Sequence, residues 1–534
     1  MSYIKINNLK FKYNNEKKYV LNDVNLEINK GEIVLIVGSV GSGKSSLLRA
    51  ISKVIPDFYG GEISGDILFN GKDLEGFSAR ERAEEIACVF QYPELQLIMD
   101  EVHREIAFSL ENLNIPSDKI KRKVFEALNF LGLQSLAYRK VEELSGGEKQ
   151  KVVLASCLAQ GAETIILDEP TSQLDPKSSE DVISLIRKMN QELYKTIIVV
   201  EQNVDGWFDI ADKIVFLDEG RVSYVKNKEE FYKNGEIDFL PYYLRIAKDI
   251  DFNDSNISFK AVRGFVDNAL KKGFNIGNEL EDGEEVLNLS KLNAVYDKNQ
   301  VLKDINLSFK RGRIYSIIGE NGAGKSSLLR AIMNLIKYDG KIFLEGNNIS
   351  KKKTYDIVKK IGYLSQNPND YISKETVYEE IKFTCDNYNI LDDDRINSIL
   401  NKLELQKYKD KNPRDLSGGE KERLALATIL ITEPDILLLD EPTRGLDYKS
   451  KEKLGKMLLD LVKDSNKTVI IVTHDMNFVS EYCDETILML NGEVISSGSM
   501  REVLKEGIYY TSTAHKLSGH KEIVKKEELI GWLK

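Results

Sequence analysis

The feature that most constrains this chain is that it says nearly the same thing twice. "GSVGSGKSSLLRAI" (Gly38–Ile51) returns as "GENGAGKSSLLRAI" (Gly319–Ile332), and "LSGGEKQK" (Leu144–Lys151) returns as "LSGGEKER" (Leu416–Arg423). "IILDEPTSQLD" (Ile165–Asp175) returns as "LLLDEPTRGLD" (Leu437–Asp447). Ser145 precedes Asp168 by 23 residues, as Ser417 precedes Asp440, and Gln202 follows Asp168 by 34, as His474 follows Asp440. Upstream the spacing drifts: 47 residues separate Lys44 from Gln91, but 41 separate Lys325 from Gln366. A chain of 534 residues has room for two full hydrophobic cores. The repeat therefore predicts two like domains, with length changes confined to surface loops ahead of LSGGE. The expected boundaries are 1–228 and 286–508, with a linker at 229–285 and a tail at 509–534. Within the linker, "FLPYYLRIA" and "FKAVRGFVDNALKKGF" read as helical segments packed on the domains. "KEIVKKEELIGWLK" at the end reads as a short amphipathic packing helix.

Apolar β-branched runs followed by helices make each repeat an α/β unit. In the first, an apolar strand (Ile33–Val37) enters a glycine loop and then a helix beginning near Lys44. Gly38, Gly41 and Gly43 let successive backbone N–H groups curl toward a phosphate chain, and the helix N-terminus adds its positive end. Lys44 then reaches the outer phosphates, and Ser45, with Ser46 behind it, offers a hydroxyl suited to Mg²⁺. Gly319, Gly322, Gly324, Lys325, Ser326 and Ser327 repeat the arrangement. Downstream, a buried strand ends in two acids. Asp168 and Asp440 suit Mg²⁺, while Glu169 and Glu441 stand where a base could polarise water. LSGGE places Ser145, Gly146 and Gly147, and likewise Ser417, Gly418 and Gly419, at helix starts. These could bind an anion or serve simply as N-caps.

Together these motifs resemble the ATP-binding subunits of ABC ATPases, doubled in one chain. The resemblance implies two tandem P-loop domains, each with a mixed, largely parallel sheet and a helical subdomain carrying LSGGE. It further implies closure head to tail on two Mg·ATP. One site would comprise Lys44, Ser45, Gln91, Asp168, Glu169 and Gln202 with Ser417 and Gly419. The other would comprise Lys325, Ser326, Gln366, Asp440, Glu441 and His474 with Ser145 and Gly147. Gln91 and Gln366 would sense the metal and γ-phosphate. Tyr13 and Tyr296 stand where the family's adenine-stacking aromatic belongs, although a tyrosine there could equally be core.

One position departs from the family pattern. "VIIVTHDMN" (Val469–Asn477) carries His474, whereas "IIVVEQNVD" (Ile197–Asp205) carries Gln202. An amide still donates a hydrogen bond, but it can neither take a positive charge nor shuttle a proton. The two sites are therefore expected to be unequal, with the second the stronger in hydrolysis.

The segment "VFQYPELQLIMDEVHREIAFSLENLNI" (Val89–Ile115) resembles the ATPase components of energy-coupling-factor importers, which bring vitamins or transition-metal ions into prokaryotic cells. Its counterpart, "LSQNPNDYISKETVYEEIKFTCDNYNI" (Leu364–Ile390), has Tyr371 in place of Gln96. The resemblance implies integral membrane partners docking at this loop, a separate membrane protein that recognises the cargo, and a place on the cytoplasmic side of the membrane. No apolar run approaches the ~20 residues a membrane helix needs, and the N-terminus carries no signal-like core. The four cysteines are scattered, which argues against a zinc site or disulfide framework. A net charge of −10 and an acidic linker argue against the rival reading, a soluble ABC ATPase acting on ribosomes or DNA.

Overall fold

The computed structural model describes residues 2–533 except 15, 17, 40, 270–282, 297–298, 391–392 and 417. Val40, Ser417 and the end of "FKAVRGFVDNALKKGF" thus lie outside the described residues. The chain forms two compact units, Met1–Tyr242 with Ser255–Ile257, and Tyr243–Asp254 with Ser258–Lys534.

Unit 1 has two sheets. Four antiparallel strands run in the order Leu21–Ile28, Ile4–Lys12, Glu62–Phe69, Lys72–Asp73. A six-stranded sheet runs Arg221–Lys226, Lys213–Asp218, Ile33–Val37, Thr196–Val200, Thr164–Asp168, Ile86–Val89. All its neighbours are parallel except the first pair. Unit 2 repeats both sheets, and its six strands run Glu493–Ser499, Glu485–Leu490, Ile314–Ile318, Thr468–Val472, Ile436–Asp440, Ile361–Leu364.

The central strands are continuous Ile, Leu and Val runs, and Ile33–Val37, Thr196–Val200 and Ile436–Asp440 are buried along their whole length. That is the pattern of parallel strands covered on both faces. Registry then decides the site. Ile36 pairs with Val200, and Val200 pairs with Asp168. The glycine loop, the acid pair and the Gln202 elbow therefore leave neighbouring strands at their carboxyl ends, where parallel α/β sheets present their ligand crevice.

The helical segments expected in the linker are Tyr242–Asp249 and Phe259–Ala269. Beyond Tyr242 both belong to unit 2, as do the tail helices Thr513–Ser518 and Lys526–Leu533. Cys157, Cys385 and Cys483 are buried, and Cys88 is half-buried. Among the described residues, no helix is long and apolar enough to cross a membrane.

Candidate nucleotide sites

In each unit the strand-to-helix turn is the one expected, with helices at Lys44–Ile51 and Lys325–Ile332. The last loop glycine is required by backbone shape. Gly43 and Gly324 have φ of 98° and 95°, and an added Cβ would stand 2.8 Å from Val20 O or 2.4 Å from Val301 O. Lys44 Nζ donates to Gly38 O at 2.7 Å and Ser39 O at 2.9 Å, and Lys325 Nζ donates to Gly319 O and Glu320 O, both at 2.8 Å. Each buried ammonium thus spans the loop that a phosphate chain would fill. Gly41 and Gly322 lie at the loop crests with open space around their α-carbons.

The next residue meets the first acid. Ser45 Oγ donates to Asp168 Oδ1 at 3.1 Å, and Ser326 Oγ to Asp440 Oδ1 at 3.0 Å. Asp440 Oδ2 is buried and has no hydrogen bond among the described residues. Burial raises the Asp168 carboxyl, and it pushes Asp440 up to about 6. A hydroxyl and a carboxylate with a bare, desolvated oxygen form a hard-oxygen donor set suited to Mg²⁺. No cluster of three or more His, Cys, Asp or Glu able to hold a metal occurs among the described residues.

Glu169 and Glu441 each adopt positive φ, 47° and 58°, which is uncommon for a non-glycine residue and costs backbone energy. Both are fixed from the neighbouring strand, Glu169 N donating to Val200 O and Glu441 N to Val472 O at 2.9 Å. Their carboxylates differ in company. Glu169 accepts from Gln91 Nε2 at 2.8 Å and from Gln202 Nε2 at 2.6 Å. Glu441 instead faces His474 Nε2 at 3.0 Å, and Gln366 is exposed. Burial raises the Glu169 carboxyl.

Ser145 caps the helix Gly146–Gln160 in a reciprocal box with Glu148, so the capping alternative is realised at that serine. Gly418 and Gly419 open the equivalent helix Gly418–Leu430. Tyr13 is half-buried, its ring set edge-on to Phe11, and its hydroxyl lies 3.1 Å from Ser46 Oγ. Tyr296 is 67% exposed; Ser327, the counterpart of Ser46, is half-buried.

A model of the ABC transporter family matches residues 21–172 and 302–444, more than half of the chain and once in each repeat. The chain belongs to the ABC transporter ATP-binding proteins. Two relatives are both named "Putative ABC transporter ATP-binding protein". One, from Clostridium tetani, is 39% identical over 81% of this chain and 100% of its own. The other, from Methanosarcina mazei, is 35% identical over 94% and 89%. A solved structure of cbiO1 from Clostridium perfringens, titled as part of the ABC transporter complex cbiONQ, is 35% identical over 42% of this chain and 92% of that one, with a TM-score of 0.39.

This ABC protein is therefore an ATPase with two P-loop domains, of the transporter-associated type. Three of its site features have roles that the motifs do not show. Glu201 accepts from Thr171 N at 2.8 Å and from the Thr171 hydroxyl at 2.5 Å. Gln96 and Tyr371 perform one task with different chemistry. Gln96 accepts from Phe90 N and donates to Cys88 O, and the Tyr371 hydroxyl accepts from Ser365 N and donates to Tyr363 O, all within 2.7–3.0 Å. Asn321 lies 3.1 Å from His474; comparing the two glycine loops position by position would have flagged it, since Val40 stands there in the first.

Proposed function

We propose that this ATPase powers an importer of the energy-coupling-factor type, for a vitamin or transition-metal ion, from the cytoplasmic side of the membrane. The observation that carries the reading is the first glutamine loop. Gln91 donates directly to Glu169, while Phe90, Tyr92, Leu95 and Ile98 around it are exposed. Leu95 is 80% exposed and Ile98 68%. A membrane partner's cytoplasmic helix covering those apolar side chains would act one hydrogen bond away from the catalytic carboxylate. A separate membrane protein would select the cargo.

ATP supplies the phosphoryl group, and Mg²⁺ would neutralise its developing charge. Lys44 and Lys325 leave the loop carbonyls to meet the outer phosphates. Ser45 with Asp168, and Ser326 with Asp440, would hold the metal. Glu169 and Glu441 accept a proton from the attacking water, and Gln202 and His474 donate toward the γ-phosphate. The two halves would close head to tail, so that Ser145 and Gly147 complete the second site and Ser417 and Gly419 the first. The domain limits proposed for these halves are 1–228 and 286–508. Tyr13 and Tyr296 would stack on adenine, and for Tyr13 that requires little more than its ring face, since its hydroxyl is already engaged.

The test is recovery of the full chain from its native cell. Co-purification with an integral membrane protein supports the importer reading, and Leu95→Asp with Ile98→Asp should abolish it. Recovery with ribosomes or DNA instead would overturn it.

A further inference from the structure

His474 and Asn321 sit on the loops that leave two paired parallel strands, Thr468–Val472 and Ile314–Ile318. His474 Nε2 lies 3.1 Å from Asn321 Oδ1 and 3.0 Å from Glu441 Oε1. Its Nδ1 is buried and has no hydrogen bond among the described residues. Two oxygens facing one ring nitrogen assign the proton to Nε2 and leave Nδ1 as the bare acceptor, since a buried N–H without a partner would be costlier.

The first half lacks both members of this pair. Its sequence carries Val40 where the second loop has Asn321, and Gln202 where the second elbow has His474. Gln202 turns its Nε2 to Glu169, and its Oε1 is buried without a hydrogen bond among the described residues. The half that has the imidazole has the loop amide that receives it.

We propose that Asn321 is a positioning residue for ATP hydrolysis in the second half: by accepting from His474 it fixes the Nε2–H tautomer and aims that N–H. Glu441 also faces this nitrogen, but a base must give up that contact to take a proton from water. When it does, the Asn321 oxygen remains as the acceptor that keeps the proton on Nε2 and the ring in place, and a bound γ-phosphate shares that N–H. The inference rests on the reading that His474 acts in hydrolysis.

Asn321 is exposed, so its replacement tests position rather than folding. The chain has four histidines, few enough for ¹⁵N imidazole NMR of the full-length protein, with the His474 signals assigned by their loss in His474→Gln. The wild type should show the Nε2–H tautomer at His474; in a Glu441→Ala background, which removes the other acceptor, adding Asn321→Val should shift it toward a mixture. Asn321→Val alone should lower kcat on the order of tenfold with KM for ATP little changed, less than the 10²–10³ typical of losing a transition-state donor outright. A tautomer that Asn321→Val leaves unchanged in the Glu441→Ala background, or a loss that falls on KM in Asn321→Val alone, overturns the proposal while leaving His474 its role. Undiminished hydrolysis in His474→Gln overturns that role and the proposal with it.

Discussion

Gln202 and Glu169 are joined amide to carboxylate, Nε2 to Oε1 at 2.6 Å, and Gln91 holds the other oxygen at 2.8 Å. Both oxygens of the first carboxylate are thus occupied by neutral donors. Glu441 faces a single imidazole nitrogen, which can also carry charge. A base must free an oxygen to take a proton from water, so the second carboxylate is the better placed. Glu441→Gln should therefore remove most steady-state phosphate release, within the 10²–10⁴ range of losing a general base, while Glu169→Gln retains the greater part. Equal losses in the two variants would contradict the inequality of the sites.

The buried acid beside Gln202 makes stability depend on pH. Glu201 is 1% exposed, and burial, with the charge of Glu169 as second cause, pushes its carboxyl up to about 8. A carboxyl whose folded value lies above its unfolded one binds protons more tightly when folded. Its contribution is therefore complete below the unfolded value near 4.5 and is lost as pH rises toward 8. Glu201→Gln removes the titration, so chemical denaturation of the variant should lack a slope of ~1.4 kcal/mol per pH unit across that window. Parallel pH profiles for variant and wild type would contradict this.

Much of this was legible because phosphate chemistry leaves a linear signature. A strand, a glycine loop, a lysine and a hydroxyl are consecutive in sequence, so Lys44–Ile51 and Lys325–Ile332 begin where the motif says. What was not legible is held by distant or irregular contacts. The positive φ of Glu169 and Glu441 is imposed by the adjacent strand, not by a residue type that favours it. Glu105 and Glu380 accept from backbone N–H groups of the loop six and seven residues earlier, Ile98 and Met99 in one half, Ser373 and Lys374 in the other. In sequence both look like ordinary helix-surface acids. The helix Gly146–Gln160 takes its first turn from the two glycines themselves.

Gln96 and Tyr371 show how such hidden equivalence can be tested. Both span the same pair of backbone groups, one with an amide and the other with a hydroxyl that accepts and donates at once. Tyr371→Phe keeps the ring and strands Ser365 N and Tyr363 O, for a loss of about 1–3 kcal/mol. Tyr371→Gln should recover part of that loss in denaturant titration, because the other half already uses that side chain. A Phe variant as stable as wild type would show that water replaces the hydroxyl without cost.

The tail is structural in the same sense. Ile523, Val524 and Leu529 are fully buried, and Trp532 is nearly so, its ring packed on His520 at 4.6 Å between centroids. Arg501 pairs with Glu528, whose carboxylate also accepts from Val524 N and Lys525 N, fixing the turn into Lys526–Leu533. Lys526 then reaches Asp249 at 2.6 Å on the helix that follows Tyr242, and Arg245 of that helix stacks on Tyr448 at 4.0 Å. Tyr448 directly follows Asp447, the N-cap at the end of "DEPTRGLD". Tail and linker helix are therefore fastened to the body that carries the second acid pair. Trp532→Ala should cost about 3–5 kcal/mol, read as a lowered unfolding transition of unit 2 in calorimetry with the transition of unit 1 unmoved. Deleting 509–534 should deepen the same shift and expose the linker helix to protease. If both transitions fell together, or neither moved, the tail would not be part of the second unit's core.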